Sequence, residues 1–389
     1  MKFSILIPAY KKAYLQECID SILRQTYECF ELIIVDDASP EDLYSIVSLY
    51  SDPRIKYYRN EKNCGAANVV DNWNICLGYA TGDYAICMGD DDKFLPNCLE
   101  EYVRLIAKYP GIGLLHGWTE IIDENSTAYQ KTVHRCEYES VISLIWHRWH
   151  VYNQQFIGDF CFEAAWLRKQ GGFYFLPLAW GADDISAFIG ASKNGVANTQ
   201  SIVFQYRRNP YTISSTGNVE LKLEAILKEY EWYKKFLCQV PNNQEDILYY
   251  RELVRKLDVY FQKKLGHNLS NALKNSKLLV FIWVFRRCKY NISFKAFVYA
   301  LSEKEGISGM NIGEAVRERI IELCRERDIS INKLCSMSGV TQSTINNIVS
   351  GRNNSATIST IKKLCDGLGI TIQDFFNASL FMDLDQEVE

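Results

Sequence analysis

Three aspartates in a row, Asp90-Asp91-Asp92, follow the apolar run Tyr84–Met88. Like charges raise one another's pKa, so adjacent carboxylates at the end of a buried segment are costly to keep ionised together. A bound divalent cation removes that cost, and hard carboxylate oxygens suit Mg2+ or Mn2+, which in turn bridge phosphate oxygens. A solvated acidic turn is the plainer reading of the same residues. Two further acidic pairs stand at the ends of patterned segments. Asp36-Asp37 closes Leu32–Val35, and Asp183-Asp184 opens a helical pattern, where either carboxylate could simply cap Ile185–Ser192. Arg207-Arg208 follows the strand-like Ile202–Tyr206, and guanidinium forks match phosphate oxygens.

Such residues need a scaffold that gathers distant loops. Phe3–Ile7, Leu32–Val35 and Tyr84–Met88 read as buried parallel strands, because helical patterns separate them. Leu15, Cys18, Ile19, Ile22 and Leu23 form one apolar helix face; a second helix fits Glu41–Tyr50 and a third Ala66–Tyr79. This alternation predicts a doubly wound, mostly parallel α/β sheet, which binds ligands beyond the carboxyl ends of its strands. Pro8–Tyr10, Asp36-Asp37 and Asp90-Asp91-Asp92 then share one rim.

The chain has 389 residues, more than one core usually holds, so two or three domains are expected. A net charge of -4 excludes a global basic field for nucleic acid or anionic lipid. Thirteen cysteines show no CxxC or zinc-ligand spacing, and no signal peptide precedes Phe3. Reduced thiols in a cytoplasmic protein are expected. The longest apolar run, Leu278–Phe285, is far short of the ~20 residues that span a bilayer. Lys277–Leu301, with Arg286, Arg287 and Lys289, could rest on the inner membrane face or pack as ordinary helix.

The ordered series Ser4–Tyr10, Glu31–Ser39, Asn63-Cys64-Gly65, Asn72-Trp73-Asn74, Ala80–Tyr84, Gly89–Asp92, Leu95-Pro96, Gly171-Gly172-Phe173, Trp180–Asp184 and Tyr206-Arg207-Arg208 resembles a family 2 glycosyltransferase of GT-A fold. The resemblance implies that Pro8, Ala9 and Tyr10 line a nucleobase and ribose pocket, with Asp36 or Asp37 accepting from the base, as uracil N3–H requires. It places Asp91 at the metal-coordinating position, with Asp90 toward ribose and metal and Asp92 as a further ligand. Gly89 stands where the commoner family form carries an aspartate, and Trp73 where many relatives carry arginine. Asp184 matches the base that deprotonates the acceptor hydroxyl, with Asp183 as cap or acceptor ligand, or the two roles exchanged. Arg207 and Arg208 fall near the diphosphate, with Asn209 where a histidine is frequent. Glu120–Gln155, including Trp146, His147, Trp149, His150 and Tyr152, reads as acceptor-side structure or as core.

Ile312–Phe376 resembles a Cro/repressor-type helix-turn-helix domain. Ser338-Gly339-Val340 forms the turn and Thr341–Ile348 the recognition helix, with Gln342, Ser343, Thr344 and Asn347 toward the major groove and Arg352 near the backbone. Met310–Glu389 holds eight basic and eleven acidic residues, net -3, so counterion release supplies little affinity and a dimer on two half-sites is expected. A helical bundle for protein contact is the competing reading.

The expected organisation is a GT-A domain over 1–217, a helical extension over 218–305, a linker over 306–310, a small all-α helix-turn-helix domain over 311–377 and a tail over 378–389. The expected activity is inverting, metal-dependent sugar transfer from a nucleotide sugar, a UDP-sugar by the resemblance, to a hydroxyl of a glycan or lipid-linked acceptor. The same modules would also suit a transcription regulator with a sugar-nucleotide sensor, or a fusion in which the helix-turn-helix is a passenger.

Overall fold

A computed structural model describes residues 1–150, 153–208, 218–273, 277–302, 312–327, 329–350, 356–378 and 381. β1 (Phe3–Ala9) is apolar on both faces, and Phe3, Ile5, Leu6 and Ile7 are wholly buried. β2 (Phe30–Asp36), β3 (Ile55–Arg59) and β4 (Tyr84–Cys87) join it in parallel, β1 lying between β2 and β4 and β3 outside β2. β5 (Lys93–Phe94), β6 (Leu114–Ile122), β7 (Ala128–Lys131), β8 (Tyr138–Glu139), β9 (Phe160–Glu163) and β10 (Val196–Arg207) complete a ten-stranded sheet of order β3-β2-β1-β4-β9-β6-β10-β5. β7 adds to β6 and β8 to β10. β6 and β10 run parallel while β9 is antiparallel to both its neighbours, so the doubly wound half carries a mixed half beside it. Helices α1 (Leu15–Leu23), α2 (Tyr44–Val47), α3 (Val69–Tyr79), α4 (Cys98–Lys108), α5 (Val141–Trp149), α6 (Ala164–Lys169) and α7 (Ala182–Ala191) connect the strands.

Register aligns the strand ends. Ala9 lies opposite Asp36, Asp36 opposite Arg59 and Leu6 opposite Cys87, so the loops after β1, β2 and β4 open on one rim. α1 buries Leu15, Cys18, Ile19 and Ile22, the face its spacing predicts. The helix expected over Glu41–Tyr50 is one turn long. Asp42 Oδ1 takes the Ser45 N–H at its start, and Leu49 and Tyr50 bond carbonyls three residues back, which tightens and ends it. The helix expected from Ala66 begins at Val69, after a single 3-10 turn entered through Gly65 at φ +81°. β3 escapes the apolar-run criterion because it is an edge strand whose residues are all partly exposed.

α8 (Val219–Phe236) and α9 (Gln244–Leu273) pack together beside the sheet, followed by α10 (Lys277–Arg286) and α11 (Phe294–Ser302). Leu253, Phe261, Leu265, Leu269 and Leu273 make the buried stripe of α9. The chain divides into two units, Met1–Ala300 and Leu301–Glu389. The expected linker 306–310 lies outside the described residues. The second unit holds α12 (Ile312–Glu326), α13 (Ile331–Ser338), α14 (Gln342–Val349), α15 (Ile358–Leu368) and α16 (Ile372–Phe376) around its own core of Ile320, Leu334, Ile345, Leu364 and Phe375. Gly367 lets α15 approach α13, since a Cβ there would lie 2.7 Å from the Ser338 backbone. No described helix is long and apolar enough to cross a membrane, and all thirteen cysteines are unpaired.

At the opposite end of the parallel strands, Glu31 is 2% exposed and accepts from Ser4 Oγ (2.6 Å), Thr81 N (2.7 Å), Lys2 Nζ (2.9 Å) and Lys56 Nζ (2.7 Å). Burial alone would raise its pKa, but the bonds from Lys56, Ser4, Lys2 and Thr81 outweigh that and hold it well below the carboxylate range. A lowered folded-state pKa stabilises above the unfolded value and is lost as pH falls. Glu31→Gln is therefore expected to cost about 1–3 kcal/mol in urea unfolding at pH 7. The gap from wild type should narrow as pH drops below about 4.

Candidate functional site

The loop after β1 is fixed by a carboxylate from the loop after β4. Asp90 Oδ2 accepts the backbone N–H groups of Tyr10 and Lys11, each at 2.7 Å. Tyr10 is left exposed beside a half-buried Pro8, whereas Ala9 packs wholly within the core. Ala9 can therefore line a pocket with its backbone only, a correction to its expected role.

The two aspartates after β2 separate. Asp36 is fully buried; its oxygens accept from Ser39 N (2.7 Å), from the Tyr57 hydroxyl (2.7 Å) and from the Arg59 guanidinium. With its acceptor sites engaged and closed to solvent, Asp36 anchors the β2 end and does not meet a nucleobase. Asp37 is held by Asn60 Nδ2 (2.8 Å) and Cys64 N (3.0 Å), a placement that keeps its carboxylate at the rim beside Asn63-Cys64-Gly65.

The three aspartates also part company. Asp92 is 4% exposed, turns inward and accepts Arg207 N at 2.9 Å, so it is not an open metal ligand. Asp90 and Asp91 remain half-buried at the rim. Burial, then the charge of Asp91, pushes the Asp90 carboxyl up to about 6. Burial raises Asp91 despite Lys11 nearby, and burial with the Asp91 charge raises Asp92 well above its ordinary value. Gly89 has a physical reason here: a Cβ would lie 2.8 Å from Asp91 Oδ1 and 3.0 Å from Asp92 Oδ2, so the glycine makes room for both carboxylates. Among the described residues no three His, Cys, Asp or Glu side chains enclose a common metal position. Mg2+ commonly keeps waters and phosphate oxygens and needs one or two carboxylates, so the crowded oxygens of Asp91 and Asp90 fit such an ion.

Arg207 corrects a second expectation. Its guanidinium is 1% exposed and stacks over Tyr14, 4.0 Å from the ring centre. It donates to Asp91 O (2.9 Å), Asp123 O (2.9 Å), Glu17 Oε2 (3.1 Å) and Ser126 Oγ (3.0 Å). No donor remains for a diphosphate; Arg207 instead locks the aspartate loop. Arg208 is exposed, one residue beyond the end of β10.

On the other flank, α7 starts at Gly181 and carries Asp183 and Asp184 in its first turn. Asp184 is 5% exposed and its Oδ1 accepts from Arg148 Nε (2.8 Å) and Gln155 Nε2 (2.7 Å). Burial opposes ionisation there, but Arg148 and Lys264 overcome it and lower the Asp184 pKa. Asp183 is half-buried, and burial followed by the Asp184 charge raises its pKa. Tyr206, stacked on Phe156 with centroids 3.7 Å apart, connects the two flanks: burial raises its pKa and the charges of Asp92, Asp91 and Asp183 all add to that rise.

Of the aromatic stretch, Trp149 is core, while Trp146, His147 and His150 are half-buried. Trp149 stacks on Tyr260 at 4.2 Å, and Trp146 donates to Glu252 at 2.7 Å, pinning α5 to α9. Tyr152 lies outside the described residues. Sequence reasoning missed Arg148, Gln155, Glu229 and Lys264. The last two carried a signal: Glu229 shares a helix face with Ile226 and Tyr233, and Lys264 with Phe261 and Asn268, charges at buried spacing.

In the second unit Thr341 caps α14 through Thr344 N, and Thr344 Oγ1 bonds Thr341 Oγ1 at 2.7 Å. Gln342, Ser343 and Asn347 are exposed, with Gln342 Nε2 bonded to Asn332 Oδ1 at 2.7 Å, while Ile345 and Ile348 face the core. Arg352 lies outside the described residues.

Residues 4–169 match the family described as glycosyl transferase family 2, and residues 319–379 match the Cro/C1-type HTH DNA-binding domain. The chain joins a family 2 glycosyltransferase domain to a Cro/C1-type helix-turn-helix domain. The glycosyltransferase domain is 36% identical over 124 residues to the Escherichia coli UDP-Glc:alpha-D-GlcNAc-diphosphoundecaprenol beta-1,3-glucosyltransferase WfgD, covering 32% of this chain and 47% of that protein. It is 41% identical over 103 residues to the putative colanic acid biosynthesis glycosyl transferase WcaA of E. coli K12, covering 26% of this chain and 36% of that protein. The chain thus spans less than half the length of these relatives. The S. aureus TarS 1–349 structure in complex with UDP-GlcNAc is similar at 15% identity with a TM-score of 0.49, over 90% of this chain and 91% of that one.

Removing the buried guanidinium should unfasten the glycosyltransferase domain's aspartate loop. Arg207→Met is expected to destabilise by about 3–5 kcal/mol in chemical unfolding, since it strands Glu17 and several carbonyls. Arg208→Ala, on an exposed side chain, should stay within about 0.5 kcal/mol of wild type.

Proposed function

We propose that the chain transfers a sugar from a UDP-sugar to a hydroxyl of a glycan or lipid-linked acceptor, inverting the anomeric carbon. One observation carries the reading: Tyr206, stacked on Phe156 at 3.7 Å and next to the Arg207 N–H that holds Asp92, lies within range of the charges of Asp91 and Asp92 on one flank and of Asp183 on α7, about ninety residues on, on the other. The name of the E. coli relative WfgD, which specifies UDP-glucose and a diphosphoundecaprenol-linked acceptor, supports the donor and acceptor class.

In this reading Tyr10 and Pro8 flank the nucleoside and Asp37 accepts from the base, so a base without that donor leaves a buried acceptor unpaired. Asp91, with Asp90, would hold Mg2+ or Mn2+, which would neutralise diphosphate charge. Arg208 reaches toward the same phosphates from the end of β10. The acceptor oxygen forms its bond to the anomeric carbon as the bond to the diphosphate oxygen breaks and the electron pair leaves with UDP. The hydroxyl proton passes to the Asp183–Asp184 pair, with Arg148 and Gln155 holding Asp184 in place.

The helix-turn-helix domain reads duplex DNA in the same proposal, with Gln342, Ser343 and Asn347 toward base edges and the start of α14 toward phosphate. Thr344 is occupied at the cap and contributes through the helix start. Phe281, Phe285 and Phe294, exposed on α10 and α11 beside Arg286 and Lys289, provide peripheral contact with an anionic bilayer.

UDP release from UDP-sugars with Mn2+ tests the transfer. Asp91→Ala, Asp183→Asn and Asp184→Asn are each expected to lower kcat by roughly 100-fold or more, and EDTA to do the same reversibly. Turnover indifferent to all of these changes rejects the assignment. In gel shifts of the full chain on selected duplexes, Asn347→Ala should weaken binding roughly 10-fold with little change in salt dependence. Phe281→Ser/Phe285→Ser should reduce co-sedimentation with phosphatidylglycerol vesicles, and unchanged sedimentation removes the membrane contact.

A further inference from the structure

The acidic pair is surrounded from several elements. Arg148 comes from α5 and Gln155 from the segment after it, both bonded to Asp184. Glu229 comes from α8, and Tyr260 and Lys264 from α9. Arg135, from the segment before β8, is buried within range of Asp184 but donates to Gln154 O at 2.8 Å. Lys264 Nζ donates to both Glu229 oxygens, at 2.8 and 2.7 Å, and Glu229 is wholly buried. The carboxylate of Glu229 stands against the start of α7: its Oε2 would lie 3.3 Å from a Cβ at Gly181, whose φ of +84° also demands glycine.

Three carboxylates, Asp183, Asp184 and Glu229, thus share this region with two cations, each bonded to one of them. Arg148 is matched to Asp184 and Lys264 to Glu229. Resting on the reading of the acidic pair as proton acceptor, we propose that the Lys264–Glu229 ion pair is a positioning device for it. The helical extension closes the start of α7 and adds to the charge balance there; among the described residues Arg148 pairs with Asp184 and Lys264 with Glu229, and no ion pair is formed by Asp183. The charges act in both directions. Lys264 lowers the pKa of Asp183 and of Asp184, secondary to burial and to Arg148. Burial raises Glu229, and Asp184 adds to the rise. A pair that served packing alone would not need its charge directed at α7, and the extension lies beyond the 4–169 span of the family match.

The test is the acid limb of kcat against pH, read as UDP release from UDP-glucose by the full chain. Lys264→Met removes a cation and is expected to move the limb up by roughly half to one pH unit; Glu229→Gln removes an anion and should move it down by a similar amount. The double variant should return the limb close to wild type, and Lys264→Arg should restore it. Carboxyl-carbon NMR titration of Asp183 in the full chain reports the same opposed shifts without turnover, so loss of the sugar-transfer reading leaves this inference testable. Single variants that lower kcat and Tm with an unmoved limb, or that move it in one direction together, overturn the proposal.

Discussion

The buried guanidinium of Arg207 is the constraint on which the glycosyltransferase domain's rim depends. A cation in a low-dielectric interior is tolerated only when its donors are satisfied, and Arg207 takes its acceptors from separate stretches of chain: Glu17 on α1, the Asp91 carbonyl, and the Asp123–Ser126 turn. Its own backbone N–H holds Asp92. Fastened in this way, the loop after β4 presents Asp90 to the backbone of Tyr10 and Lys11 and leaves Asp91 at the rim. The crowding of three carboxylates, unfavourable by itself, is thus built around one positive charge lying beneath it. Glu17 responds as expected: the Ser126 hydrogen bond, with Arg207 and Lys93, lowers its pKa against a smaller effect of burial.

Legibility in the sequence follows the range of the forces involved. The parallel strands and α1 were readable because a central strand buried on both faces must be apolar throughout and a half-buried helix must be periodic. β3 was not, since an edge strand with every residue partly exposed shows neither pattern. The acidic residues were located correctly as strand-end and helix-start groups, yet adjacency in sequence concealed their division of labour. Asp36 and Asp37 alternate across β2 and its end, so one points into the structure and the other toward the rim. Asp90, Asp91 and Asp92 lie in one turn, yet Asp90 bonds the loop after β1, Asp92 bonds the Arg207 backbone and Asp91 is left half-buried at the rim. The side-chain directions depend on Arg59, Tyr57 and Arg207, which no local pattern connects to the aspartates.

Arginine 207 also shows why residue type alone misleads. A guanidinium beside a candidate phosphate site suggests a phosphate ligand, but the same five donors suit a saturated internal clamp equally well, and burial decides between them. The neighbouring Arg208, half a β-repeat further on, points the other way. The last residue of β10 and the first beyond it are thus a buried structural arginine and an exposed one.

The helical extension changes where the glycosyltransferase unit ends physically. α9 stacks Tyr260 on Trp149 of α5, and α5 carries Arg148 to Asp184; α8 brings Glu229 to Gly181. The start of α7 is consequently approached from both sides: Arg148 and Gln155 bond Asp184 from the sheet domain, and the Lys264–Glu229 pair of the extension adds its charges nearby. Charges on the buried faces of two helices are destabilising unless matched, and each here is matched by another buried group rather than by water. Docking of α8 and α9 and the electrostatics of the acidic pair are therefore linked: the docked extension places Lys264 within range of the pair, where it adds to the larger effect of Arg148. The helix-turn-helix unit has a core of its own, built on Ile320, Leu334, Ile345, Leu364 and Phe375.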